Sequence, residues 1–509
     1  MNSMPARPRS LVLITVDCLR ADHTGFMGYA QPTTPFLDSL AKQSVVAEAI
    51  VAGAPTYYSF PAIMASRFPL AFGRDVVGLA PGEPSLATVL AESGYHTAAF
   101  NAGNAYLSSR SGYEQGFELF CDFLDSEVAG ANRPRANRDD QNAWYTRLNR
   151  GLARTSRRFR PARAVYAELY FQYCQWLASR SQDDMDQLRR VPPANILVDQ
   201  ALTWLQGVAG QPFFLWLHFM DAHHPYYPPL KALAAVGRDD IDANRARYLN
   251  CFWDRGDLDP RRLMRHRDDV VALYDAGIRS VDMQLARLAD GLLELGAWSD
   301  TAFVLTADHG EEFLEHGGRY HAPVKLTEEL IRVPLLMRVP GEPPRTLGTP
   351  FSLLHLAPTL LDLLGITPPG EFEGRSRWAN LRAGNLGSEP AVIEVVDGCT
   401  NPLRADDRIG PRLLAVRDSR YKLVFHFRDK REELFDLQAD PGEHSPLSRD
   451  AACAERVRLL QVAKEHLARS TQTQQSPLRM RAKIRELRRH FEKQQLQDTS
   501  AAIPARTGT

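Results

Sequence analysis

Asp17, Asp308 and His309 stand directly after short apolar runs, and Thr56 follows Pro55 at the head of a stretch that can start a helix. Two carboxylates, an imidazole and a hydroxyl offer the oxygen and nitrogen donors that hold one divalent cation. Such a set suits Mn2+ or Zn2+ first and accommodates Ca2+ or Mg2+. A cation held there would polarise an ester and activate a hydroxyl nucleophile. A hydroxyl at Thr56 would also sit at the positive end of the helix that Tyr57 to Ala65 can form, which favours an anionic ester. Taken singly, each residue has a plainer role, because Asp at a strand end and Thr before a helix are common N-caps. Together at strand termini they favour metal.

The elements that would position them are three runs with the length and β-branched or aromatic content of buried parallel strands: Leu11 to Val16, Phe213 to Met220 and Ala302 to Thr306. The first runs into Asp17, the second into Asp221-Ala222-His223-His224, the third into Asp308-His309. In open α/β sheets the site lies outside the carboxyl ends of the strands, so residues hundreds of positions apart can converge there. Tyr274, Ile278, Val281, Leu285, Leu288 and Leu292 repeat at steps of four and three and mark one face of a long helix packed on the sheet. A helix over Ser85 to Ser93 ends at Gly94, and His96 to Asn101 reads as another strand. Asn101 and Asn104 fall on the loop after it and are candidate anion contacts. The alternation of strand and helix predicts a doubly wound α/β domain.

From about Arg133 to Arg190 the chain turns arginine-rich and helix-favouring, with Trp144, Tyr166, Tyr170, Phe171 and Trp176. A helical insertion capping the site and a solvated hairpin away from it are equally good readings. Leu353 to Leu364 predicts a further apolar helix, and Leu413 to Phe427 a hairpin of a smaller sheet. The expected organisation is a catalytic α/β domain over 1–350 with a helical insertion at 130–192, a C-terminal α+β subdomain over 351–450, and a helical, partly disordered tail over 451–509.

Composition narrows the function classes. The 509 residues are 44% hydrophobic and 24% charged, enough for a large core. With 61 basic and 61 acidic residues there is no global field to hold nucleic acid. The six cysteines are scattered without a CxxC pair and read as reduced thiols. The apolar run after the polar N-terminus is too short for a signal peptide or a membrane span, so a cytoplasmic enzyme without a transmembrane segment is expected.

Val16-Asp17-Cys18-Leu19-Arg20-Ala21-Asp22, followed by Thr34-Pro35-Phe36-Leu37-Asp38, resembles the opening of sulfatases of the alkaline phosphatase superfamily. His218-Phe219-Met220-Asp221-Ala222-His223-His224-Pro225-Tyr226 looks like the sulfatase segment whose histidine contacts the substrate anion. Thr306-Ala307-Asp308-His309-Gly310-Glu311, Glu328-Glu329-Leu330-Ile331-Arg332-Val333-Pro334-Leu335 and the late Tyr421-Lys422-Leu423 and Glu433-Leu434-Phe435-Asp436-Leu437 complete a match from about Leu11 to Glu443. The resemblance implies an alkaline-phosphatase-like sheet flanked by helices, a small C-terminal subdomain, and the metal set Asp17, Thr56, Asp308 and His309. It also implies that His223 and His321, with Lys325 behind them, contact the nonbridging oxygens or protonate the leaving group.

Three departures bear on mechanism. Sulfatases of the family carry Cys or Ser in a Cys/Ser-x-Pro-x-Arg motif that matures to formylglycine. Aligned back from Arg67-Phe68-Pro69, that position is Thr56, with Tyr58 and Phe60 in place of the proline and arginine. A frame shifted by three makes Ser59-Phe60-Pro61 the motif, with Ile63 in place of the arginine. Cys18 stands where calcium-type sulfatases usually have another aspartate, and His309 where many have asparagine. The set is closer to phosphonate monoester hydrolases and to the threonine-nucleophile phosphotransferases that build lipoteichoic acid or modify lipid A. The expectation is a metal-dependent hydrolase cleaving a phosphate, phosphonate or sulfate ester through Thr56. The alternatives are a phosphotransferase with an alcohol acceptor and a catalytically decayed binding protein. The substrate expected is a small anionic ester, sugar- or lipid-linked forms included, and a homo-oligomer is left open.

Overall fold

The computed structural model describes residues 7–74, 76–124, 160–180, 183–322, 325–472 and 476–485. Its strands are β1 (Ser10–Val16), β2 (Val45–Ile50), β3 (His96–Asn101), β4 (Leu119–Cys121), β5 (Phe213–Phe219), β6 (Thr301–Ala307), the two-residue β7 (Glu312–Phe313) and β8 (Arg319–Tyr320), β9 (Arg332–Arg338), β10 (Arg345–Thr346), β11 (Phe351–Ser352), β12 (Ala391–Val396), β13 (Arg412–Arg417), β14 (Tyr421–His426) and β15 (Arg431–Asp436). The helices that matter to the site are α1 (Thr56–Ala65), α2 (Arg160–Ala178), α3 (Arg267–Glu294), α4 (Leu356–Leu364) and α5 (Cys453–Gln472).

One sheet runs in the order β10-β2-β9-β6-β1-β5-β3-β4, with β11 also paired to β2. From β6 to β4 the strands are parallel. Strand β9 is antiparallel to both β6 and β2. Two reversals restore direction, so the carboxyl end of β2 emerges at the same edge as those of β1, β5 and β6. Every residue of β1, β5 and β6 is buried, as expected when helices cover both faces of a parallel sheet.

Helix α3 turns Tyr274, Ile278, Val281, Leu285, Leu288 and Leu292 inward, the stripe that its spacing predicts. Each such side chain contributes about 1.5–3 kcal/mol on burial. Replacing Leu285, wholly buried, with Ala would leave a cavity costing about 2–5 kcal/mol. The helix after Ser85 is held by a reciprocal capping box between Ser85 and Thr88, and the chain leaves through Gly94 at φ 84°.

A separate antiparallel sheet, β12-β13-β14-β15, contains the hairpin expected over Leu413 to Phe427. Its Leu414, Val416, Leu423 and Leu434 pack on Leu459 and Ala463 of α5. Phe351, Leu353, Leu356 and Leu360, around β11 and α4, share the apolar core of the large sheet. Of the expected insertion, residues 160–178 form α2, while 133–159 lie outside the described residues. The tail over 486–509 also lies outside them. Residues 477–485 are helical, and Leu478 and Ala482 pack on Phe72, Val76 and Ala80. No helix among the described residues is long and apolar enough to cross a membrane.

Candidate active site

Each element delivers its side chain for a local reason. After β1 the chain turns through Cys18 at φ 64°, fixed by Tyr274, whose hydroxyl donates to Cys18 O (2.7 Å) and accepts from Arg20 N (3.0 Å). After β6 it turns at Gly310, where a Cβ would lie 1.9 Å from the carbonyl oxygen of Glu329. Only glycine allows that approach, and it leaves His309 facing Asp17. After β2 the chain reaches α1 with Pro55 as the N-cap, so Thr56 is the first helical residue. Its side chain caps nothing in the helix. It faces the strand ends.

Asp17, Asp308 and His309 are 0% exposed and Thr56 is 4% exposed. Thr56 Oγ1 lies 3.2 Å from His309 Nε2 and 3.4 Å from Asp17 Oδ2. His309 Nε2 is 3.4 Å from Asp17 Oδ1 and 3.6 Å from Asp308 Oδ2. The other ring nitrogen, Nδ1, donates to Gly310 O at 2.9 Å, which fixes the tautomer and leaves a lone pair on Nε2. The four residues singled out as a metal set are thus brought together.

Their electrostatics are unbalanced. Burial raises the Asp17 carboxyl, but His223, His218 and His309 outweigh it and hold the group well below the usual carboxylate range. Burial and then the charge of Asp17 push the Asp308 carboxyl well above that range. Burial, followed by His321, brings the His309 imidazole down to about 4. Asp308 Oδ2 is buried with no hydrogen-bond partner among the described residues. Two buried carboxylates, one with an unused oxygen, beside an imidazole lone pair and a hydroxyl fit a divalent cation, whose charge would offset their repulsion.

A cavity of about 460 Å³ opens at Thr56, the one of the four that lines it, and is bounded also by Tyr57, Asn104, Tyr106, His223, Tyr320 and His321. His223 Nδ1 donates to His224 O, which leaves Nε2 as its free ring nitrogen. His321 Nδ1 donates to Glu311 Oε1 at 3.2 Å. Burial lowers the His321 imidazole, but Glu311 wins and holds it above its ordinary value. The rings of His321 and His309 are 4.6 Å apart, and those of His321 and His223 5.0 Å. A larger cavity of about 930 Å³ lies elsewhere, between Glu48, Glu328, Arg332, Arg417 and His444. It contains none of the four gathered residues.

The other predicted residues divide. Asn104 reaches the site, its Nδ2 donating to Asp17 Oδ2 at 2.8 Å. Asn101 does not line the cavity, and its Nδ2 donates to Leu107 O. Ser59, one turn after Thr56 on α1, is fully buried with Oγ unpartnered among the described residues, and the cavity does not reach it. Lys325 is turned aside. Its ammonium donates to both Glu312 carboxylate oxygens (2.7 and 2.9 Å) and to His316 O (2.9 Å).

Sequence reasoning passed over His218 as a member of the site. The Trp216 indole N–H donates to Thr15 Oγ1 (3.0 Å), and the Thr15 hydroxyl faces His218 Nδ1 at 2.9 Å. The other ring nitrogen of His218, Nε2, lies 3.4 Å from Asp17 Oδ2. A histidine inside the apolar run Phe213–Phe219 was the available signal. Glu311, fully buried and tied to His321, was also missed.

A mixed sheet that gathers acids, imidazoles and a hydroxyl at its strand ends, with a small antiparallel sheet attached, is the architecture of the alkaline phosphatase superfamily. Within it the chain belongs to the sulfatase family, whose model matches residues 9–366. A second model, N-sulphoglucosamine sulphohydrolase, C-terminal, matches residues 315–472. The multifunctional alkaline phosphatase superfamily protein PehA of Trinickia caryophylli is 29% identical over 315 residues, covering 54% of this chain and 59% of PehA. The chain therefore spans less than two thirds of that relative. An arylsulfatase of Clostridium perfringens (strain 13 / Type A) is 23% identical over 499 residues, covering 88% of this chain and 92% of that one. The crystal structure of a phosphonate monoester hydrolase of Agrobacterium radiobacter shares the fold, with a TM-score of 0.61 at 20% identity over 92% of this chain and 96% of that one.

Proposed function

We propose that this hydrolase is metal-dependent and cleaves a phosphate, phosphonate or sulfate monoester or diester with the Thr56 hydroxyl as nucleophile. The observation that carries this reading is the position of Thr56 Oγ1. It belongs to a residue that lines the cavity, the first of α1, and lies within 3.4 Å of both Asp17 and His309. Ser59, the alternative nucleophile, has no access to that cavity.

A divalent cation held by Asp17, Asp308 and His309, Mn2+ or Zn2+ by the donor set, supplies positive charge beside the ester oxygens and lowers the pKa of the Thr56 hydroxyl. Asn104 and His218 hold Asp17 at Oδ2, the same oxygen that Thr56 approaches, and Gly310 O holds the His309 ring. Thr56, its proton lost to solvent, attacks phosphorus or sulfur as the bond to the leaving alcohol breaks. His321, whose imidazole Glu311 holds above its ordinary value, is the general acid that donates a proton to the leaving oxygen. Water then attacks the Thr56 ester as the bond to Thr56 Oγ1 breaks, the neutral His321 takes the proton of the water, and the departing Thr56 oxygen regains its proton from solvent. Phosphorus is favoured over sulfur, because a sulfated threonine lacks the breakdown route that a formylglycine hydrate provides.

Tyr57, Tyr106 and Tyr320 on the cavity wall suit a leaving alcohol that carries a ring, and Arg319 beside them suits one with negative charge. The test is turnover of nitrophenyl phosphate, bis(nitrophenyl) phosphate, phenylphosphonate monoester and nitrophenyl sulfate by chelator-treated protein, with and without Mn2+ or Zn2+. Restoration by metal supports the reading, and metal-independent turnover would sink it. Added glycerol separates hydrolysis from transfer.

A further inference from the structure

We propose that Cys18 is an additional ligand of this centre, binding as a thiolate and setting a preference for Zn2+-class cations over Mn2+, Ca2+ and Mg2+. The proposal rests on the metal reading above and deepens it.

Cys18 Sγ is 3.2 Å from Asp17 Oδ1 and 3.5 Å from His321 Nδ1. With nitrogens of His309 and His321 it forms one set of donor atoms lying within 4.8 Å of one another, and with Asp17 and His223 a second. The residue is fully buried. A buried cysteine used only for packing sits among apolar side chains. This one has a carboxylate and an imidazole as neighbours.

The backbone adds a second reason. Cys18 holds φ 64°, a left-handed conformation that is unfavourable for a residue other than glycine. The hydroxyl of Tyr274 clamps the carbonyl of this turn. The result is a sulfur held beside Asp17 Oδ1 and within 4.8 Å of a nitrogen of His309, whose Nε2 is in turn 3.6 Å from Asp308 Oδ2, the buried oxygen without a partner among the described residues. When a cation binds, the S–H bond breaks, a metal–sulfur bond forms and the proton leaves to solvent. Thiolate is a soft ligand, and its addition to two carboxylates and an imidazole moves selectivity away from hard cations. At the same turn an aspartate would leave a wholly hard set.

Cobalt(II) separates the possibilities, because its visible d–d bands report binding and a near-ultraviolet charge-transfer band reports a thiolate ligand. Chelator-treated wild type loaded with Co2+ is expected to show both. Cys18→Ser is expected to keep the d–d bands and lose the charge-transfer band, and Cys18→Asp to gain affinity for Mn2+ and Ca2+ relative to Zn2+. Cadmium-113 NMR of the wild type tests the same bond without any variant, a strongly deshielded resonance being the expected result. Wild type with d–d bands alone, or a charge-transfer band surviving in Cys18→Ser, overturns thiolate ligation and leaves the oxygen and nitrogen centre standing. Failure to take up Co2+ or Zn2+ overturns the centre and the thiolate together.

Discussion

Two clusters of buried charge, one at the carboxyl ends of β1 and β6 and one at the seam between the large and small sheets, treat their carboxylates in opposite ways. At the seam Glu328 meets Lys422 (3.2 Å) and Arg417 (2.9 Å), Arg417 meets Glu48 (2.6 Å), and Glu48 meets Arg332 (3.0 Å). Lys422, wholly buried, also pairs with Glu443 and donates to Leu326 O. Three cations answer three anions, so the charges balance within the chain, although Arg417 Nε and Nη1 have no hydrogen-bond partner among the described residues. At the strand ends Asp17 and Asp308 pair with no lysine or arginine among the described residues, and an oxygen of Asp308 is unused. Buried charge that closes on itself joins two parts of a fold. Buried charge left open calls for something the chain does not contain.

The sharpest way to break that contrast is Thr56→Ala, which removes the nucleophile and leaves the fold intact. Turnover of the preferred aryl ester is expected to fall about 10³-fold or more, as in other enzymes stripped of a nucleophile. At the seam Lys422→Met is expected to cost about 3–5 kcal/mol in urea unfolding, because it leaves buried Glu443 without its cation and Glu328 with Arg417 alone. The two clusters should respond with opposite sign to neutralisation. Asp308→Asn relieves repulsion from Asp17, so the metal-free protein should gain stability on the order of 1 kcal/mol while its metal affinity falls.

Acid separates the clusters again. Burial raises the Glu328 carboxyl, but Lys422 and Arg417 outweigh it and hold it at about 2. A depressed carboxylate stabilises the fold above its ordinary value and loses that contribution as pH falls toward its folded value. Unfolding followed between pH 4.5 and about 2 should therefore show a loss of stability that Glu328→Gln flattens. The smallest effect belongs to Lys325. Since Glu312 and His316 O occupy its ammonium, Lys325→Ala should change kcat/KM less than about threefold. A larger loss would place it in the site after all.

Most of this was legible where the sequence carries a local period. The apolar runs ending in Asp17 and Asp308-His309, and the step-of-four stripe on α3, are patterns within one element, and they placed the sheet and its site edge. Thr56 was legible through the resemblance, although its role as the first helical residue and not the cap shows only in three dimensions. What escaped depends on partners from distant elements. His218 matters because Thr15 and Trp216 orient it across the β1–β5 pairing. Glu311 matters because it reaches His321 across the turns around β7 and β8. Lys325 looked available because nothing in the chain announces that Glu312 will take it.

The central claim is that Thr56 is the nucleophile, and rapid quenching tests it most directly. Wild type mixed with an excess of its best aryl phosphorus ester, stopped in acid and digested, should yield one peptide carrying the phosphoryl-type group on Thr56. That adduct should persist in Ser59→Ala and vanish in Thr56→Ala. An adduct on Ser59, or full turnover by Thr56→Ala, would contradict the account.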